Sequence, residues 1–135
     1  MKHTTLSTWA LAALLGASAA NHVKNPGFYY PVVPPSICSD NRSAGAVLTR
    51  HQWVTVSAVP EALAAAGLLL PSTRKAAATA TALMFVAFTA GHVSALRRAL
   101  GPEGTPKSRR IHSLRLPLQI PLVVWAWRTR RIPTP

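Results

Sequence analysis

An all-α protein, a four-helix antiparallel bundle set in a membrane, is the fold class this 135-residue sequence predicts, and three observations predict it. Four apolar blocks alternate with Pro-rich or Arg-rich connections. Hydrophobic residues make up 49% of the chain while charged residues make up only 13%, about half the usual share. The formal charge is nevertheless +12, from 15 Lys and Arg against three acids, so the imbalance comes from missing acids more than from abundant bases. That pattern favours lipid-solvated helices with basic loops over a basic nucleic-acid binder, and the length is that of one membrane domain, 1–135.

The first block, Thr4 to Ala20, follows Lys2 and His3 and sets Leu11, Leu14 and Leu15 among alanines. Two readings fit it. One is a first membrane helix over about residues 4–21. The other is a secretory signal cleaved after Ala19 or Ala20, because a basic start, a short apolar core and the small-residue tail Ala17-Ser18-Ala19-Ala20 are signal-like.

The second block predicts a helix over about 54–70, with Pro60 and Glu61 near its middle and Pro71 as its stop. The third predicts a helix over about 75–97. Its uncharged run Ala76 to Leu96, 21 residues rising about 1.5 Å each, covers a hydrocarbon core of roughly 30 Å. The fourth, over about 114–128, is shorter and interrupted by Pro117 and Pro121. Arg115 precedes its apolar run and Arg128, Arg130 and Arg131 follow, so snorkelling cations and the interfacial pair Trp125 and Trp127 extend its reach.

Between these blocks, residues 21–53 form a polar, Pro-rich loop in which Pro26 to Pro35 excludes regular helix and carries Phe28, Tyr29 and Tyr30. Those aromatics pack on the bundle or form an interfacial belt. Ser72 to Lys75 is a tight turn, making the second and third helices an antiparallel hairpin. Residues 98–113 read as a basic loop, polar and flexible from Gly101 to Arg110.

From about Gly16 to Arg130 the chain resembles the DoxX-like family of small four-helix membrane proteins. The resemblance rests on Arg115-Leu116-Pro117-Leu118-Gln119 followed by Trp125-Ala126-Trp127, and on Glu61 followed by Leu68-Leu69-Leu70-Pro71 and Arg74. His22, Pro26, Phe28 and Pro34-Pro35 add to it. The loop from Pro35 to Trp53 is longer than the family pattern, and Thr89-Ala90-Gly91-His92 stands where the family commonly places a proline and an asparagine. The resemblance implies that the first segment is kept as a membrane helix. One namesake of the family is linked to thiosulfate oxidation and quinone reduction, which implies at most an accessory role in a membrane redox system.

An ionisable group at mid-membrane is expensive, so Glu61 needs a partner or a wet niche. In an up-and-down bundle the odd helices end, and the even ones begin, on one side. Five polar groups are expected within about 12 Å of that face: His22, Glu61, His92, Arg115 and Gln119. Three readings fit them. They are mutual hydrogen-bonding glue between helices; or they line a small cavity where Glu61 exchanges protons with His22 or His92 while Gln119 bonds a quinone-like headgroup; or Pro60-Glu61 opens the first turn of an ordinary helix. Small residues at Ala64 to Gly67 and Ala76 to Ala78 let helix backbones approach.

No metal, haem or other cofactor is called for. His3, His51 and His112 fall in expected tails or loops, and the lone Cys38 makes no cluster. No nucleophile constellation or phosphate-binding glycine loop is present, so catalysis by this chain alone is not expected. Arg97, Arg98, Arg109 and Arg110 are candidates for lipid-headgroup contacts, the expected partners being the bilayer and other membrane subunits. Nucleic acid is excluded as a partner, because the cations are not interleaved with stacking aromatics. Six cations group with the termini and nine with the first and third loops, which leaves orientation open. Three functional classes follow: an accessory redox subunit, a structural or transport-related membrane component, and a secreted basic protein that binds polyanions.

Overall fold

The computed structural model describes the backbone of residues 2–131 and the side chains of residues 5–131. It is all-α: α1 (Lys2–Lys24), α2 (Arg50–Leu69), α3 (Arg74–Leu100) and α4 (Pro106–Thr129), with no strand among the described residues. α1 packs most extensively on α2 and α3 on α4; the α2–α3 contact is thinner, and α1 meets α4 at few positions.

All but one of the expected helix bounds move outward, and two capping boxes explain the two largest shifts. Thr49 accepts from the backbone of Gln52 while the Gln52 side chain accepts from the Thr49 N–H, so α2 starts at Arg50 rather than near residue 54. Thr105 and Ser108 form the same reciprocal pair with Pro106 at the first helical position, which starts α4 two turns before the expected 114. The segment 98–113 is therefore not a basic loop. Arg97 and Arg98 close α3, Arg109 and Arg110 lie on α4, and only residues 101–105 connect them.

Prolines bend the expectation as well. α4 runs unbroken through Pro117 and Pro121, and α2 through Pro60, although each ring removes one backbone donor. Pro71 behaves as anticipated, following an α2 that ends at Leu69.

The interior is organised by a seven-residue spacing. Buried on this register are Thr8, Leu15 and His22 of α1, Val54, Glu61 and Leu68 of α2, Ala78, Phe85 and Ala99 of α3, and His112, Gln119 and Ala126 of α4. A seven-residue repeat keeps one seam of each helix facing its neighbours. The seam has two halves. Towards the α2–α3 turn it is apolar, built on Leu11, Leu15, Leu68, Ala82, Phe85 and Ala126. Towards the opposite end it becomes polar.

That polar end is covered by the chain between α1 and α2, which winds through single 3₁₀ turns at Pro26–Phe28, Tyr30–Val32, Pro35–Ile37 and Ser39–Asn41. Specific bonds tie it down. Trp53 Nε1 donates to the Ile37 carbonyl at 2.8 Å, Tyr30 Oη meets His51 Nδ1 at 2.9 Å, and Asp40 accepts from the first amide of α2. Cys38 ends up fully buried within it.

Two helices, α2 and α3, are long and apolar enough to cross a membrane. Each carries most of that apolar surface on its outside.

Candidate functional site

The polar half of the seam holds two groups of side chains. On the α1–α2 pair, His22 and Glu61 face each other with Nε2 and Oε1 3.7 Å apart, at 5% and 2% exposure. The other ring nitrogen of His22 lies 3.0 Å from the Val54 carbonyl and 2.9 Å from Ser57 Oγ. A carbonyl only accepts, so Nδ1 carries the proton and Nε2 is the nitrogen presented to the carboxyl group. The ring is held from behind by Tyr29, whose centroid lies 3.7 Å away in an edge-on arrangement and whose hydroxyl accepts from Asn21. Ser18 flanks Glu61 from α1, yet Oε2 of Glu61 has no hydrogen-bond partner.

The second group lies on the α3–α4 pair. Arg115 stacks over Phe28 at 4.4 Å and adjoins both His92 and His112 electrostatically. Gln119 follows Arg115 by one turn and is buried. His92 Nδ1, His112 Nδ1 and Gln119 Oε1 are each buried without a partner. The groups are bridged by aromatic edges: His22 against Tyr29, Tyr29 against Phe28, and Phe28 under Arg115.

Of the five residues singled out in the sequence, the structure brings His22 and Glu61 into direct contact and sets His92 beside Arg115. Gln119 shares the α4 seam but touches no partner through its carbonyl oxygen. Glu61 and Gln119 lie near the middle of their helices. Glu61 is eleven residues into α2 and Gln119 thirteen into α4, about 16 and 20 Å along their axes. Pro60-Glu61 is accordingly no helix start but a mid-helix pair.

Other residues of the site lie where the sequence gives little sign of them. His112 is placed in an expected loop, yet it is buried on α4, seven residues before Gln119. His51 likewise lies on α2, and His3 falls in the first turn of α1. Ser57 and Tyr29 give no local signal, since their roles come from a partner 35 residues away and from a loop folded back on α1. The capping residues Thr105 and Ser108 were the available clue for His112.

The headgroup candidates also change character. All four arginines are exposed, but Arg98 also donates to Ser94 Oγ at 2.7 Å and to the Pro31 carbonyl, and Arg109 Nε donates to the Ala99 carbonyl at 3.1 Å.

His112 stands on the basic first turns of α4, ahead of its apolar run. Burial, followed by the nearby charges of Arg115 and Arg98, holds its imidazole below the ordinary value of 6.5. The folded state therefore binds fewer protons than the unfolded one once pH falls below that value, and stability is lost there. The melting-temperature difference between the parent protein and His112→Gln is expected to be constant above about pH 7 and to move in favour of the variant below it; a difference that does not change with pH would remove His112 from the linkage.

The arrangement can hold a proton between Glu61 and His22 and can offer unpaired polar atoms to a small ligand. No curated protein and no solved structure matches the chain. A family model described as a domain of unknown function (DUF8561) matches residues 11–130, from the first core leucine to the cation closing α4, and the chain belongs to that family.

Proposed function

We propose that the chain is a four-span integral membrane protein whose interior His22–Glu61 pair takes up and returns a proton, serving as a DoxX-like accessory component of a membrane redox system. One observation carries the membrane part: the helices expose large apolar side chains while one half of the interior is polar. Leu6 and Trp9 on α1, Leu63 on α2, Leu83 on α3 and Ile120 on α4 are each more than half exposed, while Glu61, His22, His112 and Gln119 are buried. Water selects the reverse distribution, whereas hydrocarbon makes outward leucines cheap and drives polar side chains to the interior. Hydroxyls on the outer surface support the same reading. Thr55 and Thr79 satisfy themselves on the carbonyl one turn back, at 3.0 and 2.8 Å, as a solvent without hydrogen bonds requires.

The first segment is retained in this reading. Cleavage after Ala19 or Ala20 removes Leu11, Ala12 and Leu15, which with Leu68 and Ala64 form the apolar half of the seam. The proton role rests on the Nε2-to-carboxyl geometry, and the redox setting rests on the DoxX-like motifs around Glu61 and Arg115 to Trp127.

Carbonate extraction of membranes, combined with the apparent mass of the chain, tests the reading. A full-length product that stays with the lipid is expected. A shortened, extractable product overturns it. A quinone-dependent signal of the assembled membrane system is expected to disappear in Glu61→Gln, and a flux or assembly phenotype indifferent to quinone favours a structural component instead.

A further inference from the structure

An open cleft of about 540 Å³ lies where the end of α3 meets the start of α4, on the other helix pair from His22 and Glu61. Its walls include Pro31, Arg98, Ser108, His112 and the 101–104 connection, with Glu103 on the lining. The surroundings are unusually one-signed. Arg98 lies close enough to Arg50 to be repelled by it, and His112 adjoins both Arg98 and Arg115. Among the described residues no arginine or lysine comes within 4.0 Å of a carboxylate, and the Asp40 carboxylate is taken by the α2 amide. On the lining Glu103 is the one acid and Arg98 the one permanent cation, with Arg50 and Arg115 nearby but not on the wall.

An Arg98 guanidinium with no carboxylate within 4.0 Å and a second arginine nearby is favoured by an anion placed beside it. The cleft also presents the donors an anion needs. Arg98 spends Nη1 on Ser94 and Nη2 on Pro31, which leaves Nε and further N–H bonds of a planar fork suited to phosphate oxygens. His112 is 6% exposed, lines the cleft, and has an Nδ1 with no partner. The start of a 24-residue helix adds the positive end of its dipole.

We propose that this cleft is a binding site for a phosphate-class anion, gripped by the Arg98 fork and the His112 ring at the start of α4. The group is either a free phosphate or the headgroup of an acidic lipid, since the chemistry of recognition is the same. The site does not depend on the proton role of the other helix pair.

The test uses the full-length protein in an uncharged detergent. Inorganic phosphate is titrated against chloride at constant ionic strength and followed by calorimetry. In parallel, retention of phosphatidic acid over phosphatidylcholine is followed by native mass spectrometry. Binding of phosphate in micelles identifies a soluble anion; preference for phosphatidic acid alone identifies a lipid headgroup. In either arm Arg98→Gln and the near-isosteric His112→Gln are expected to weaken binding about tenfold, as for one charge-assisted hydrogen bond lost, while Arg128→Gln at the other end changes nothing. Arg98→Lys keeps the charge but not the fork and is expected to fall between, which guards against a folding defect in the glutamine variant. Phosphate indistinguishable from chloride together with no lipid preference overturns the proposal, as does a preference unchanged in both Arg98 variants.

Discussion

His22→Ala is expected to destabilise the bundle by about 1–3 kcal/mol, the range for leaving a buried polar group without its partner. The cost arises on the residue left behind. Glu61 has one oxygen 3.7 Å from His22 and the other already unpaired, at 2% exposure, so without the ring the carboxyl group faces a dry seam. Ser57 and the Val54 carbonyl also lose the donor that now bridges α1 to α2. Thermal or denaturant unfolding in detergent measures the loss. The decisive comparison is the double variant His22→Leu with Glu61→Leu, which removes both polar groups and fills the space. It is expected to recover most of the stability, because replacing both members of a buried polar pair by apolar groups of similar shape is nearly neutral or stabilising. Should His22→Ala and the double variant be equally damaged, the two residues are not coupled and the proton reading loses its basis.

Why a seam with this content was only partly legible follows from how apolar side chains are spread over its helices. In water the inward face of a helix is marked by hydrophobic contrast, and a period of 3.6 or 3.5 can be counted. Here the seam of α4 reads His112, Gln119, Ala126 while its outward face reads Leu114, Leu118, Ile120, so contrast is inverted and weak. Counting apolar residues therefore found the four blocks and the α2–α3 turn but not which face was inside. Glu61 and His22 stood out in the sequence because ionisable residues are rare in apolar blocks, not because a period pointed to them. His112 did not stand out because Lys107, Arg109 and Arg110 make its neighbourhood look like a loop, and the Thr105-Ser108 capping box that starts α4 is a stronger determinant than local polarity. The folding of Tyr29 onto His22 and of Phe28 under Arg115 is tertiary, fixed by where a long Pro-rich connection lands.

The landing place of that connection yields the second large effect. At Gly91 an added Cβ would press on the Val32 carbonyl oxygen at 2.4 Å, a backbone atom held in a 3₁₀ turn, so the segment from Tyr30 to Val32 must lift from α3. Gly91→Ala is thus subject to two opposed terms. Alanine gains about 1 kcal/mol of helix propensity, and overpacking against fixed backbone costs about 1–3 kcal/mol. Gly16 supplies the control: it also lies within a helix, but a Cβ added there meets nothing within 4 Å, so Gly16→Ala is expected to stabilise by up to about 1 kcal/mol.

The readout can be made local, because Cys38 is the single cysteine of the chain and lies fully buried within this connection. Lifting the connection exposes its thiol, and every 1.4 kcal/mol of weakened docking multiplies the open population about tenfold. Gly91→Ala is therefore expected to accelerate maleimide labelling of Cys38 about tenfold or more, with Gly16→Ala labelling at the rate of the unsubstituted protein. Equal rates in the two variants mean that the Pro-rich connection does not rest on α3. In that case neither the stacking of Phe28 on Arg115 nor the Pro31 wall of the α3–α4 cleft is held in place by the packing at Gly91.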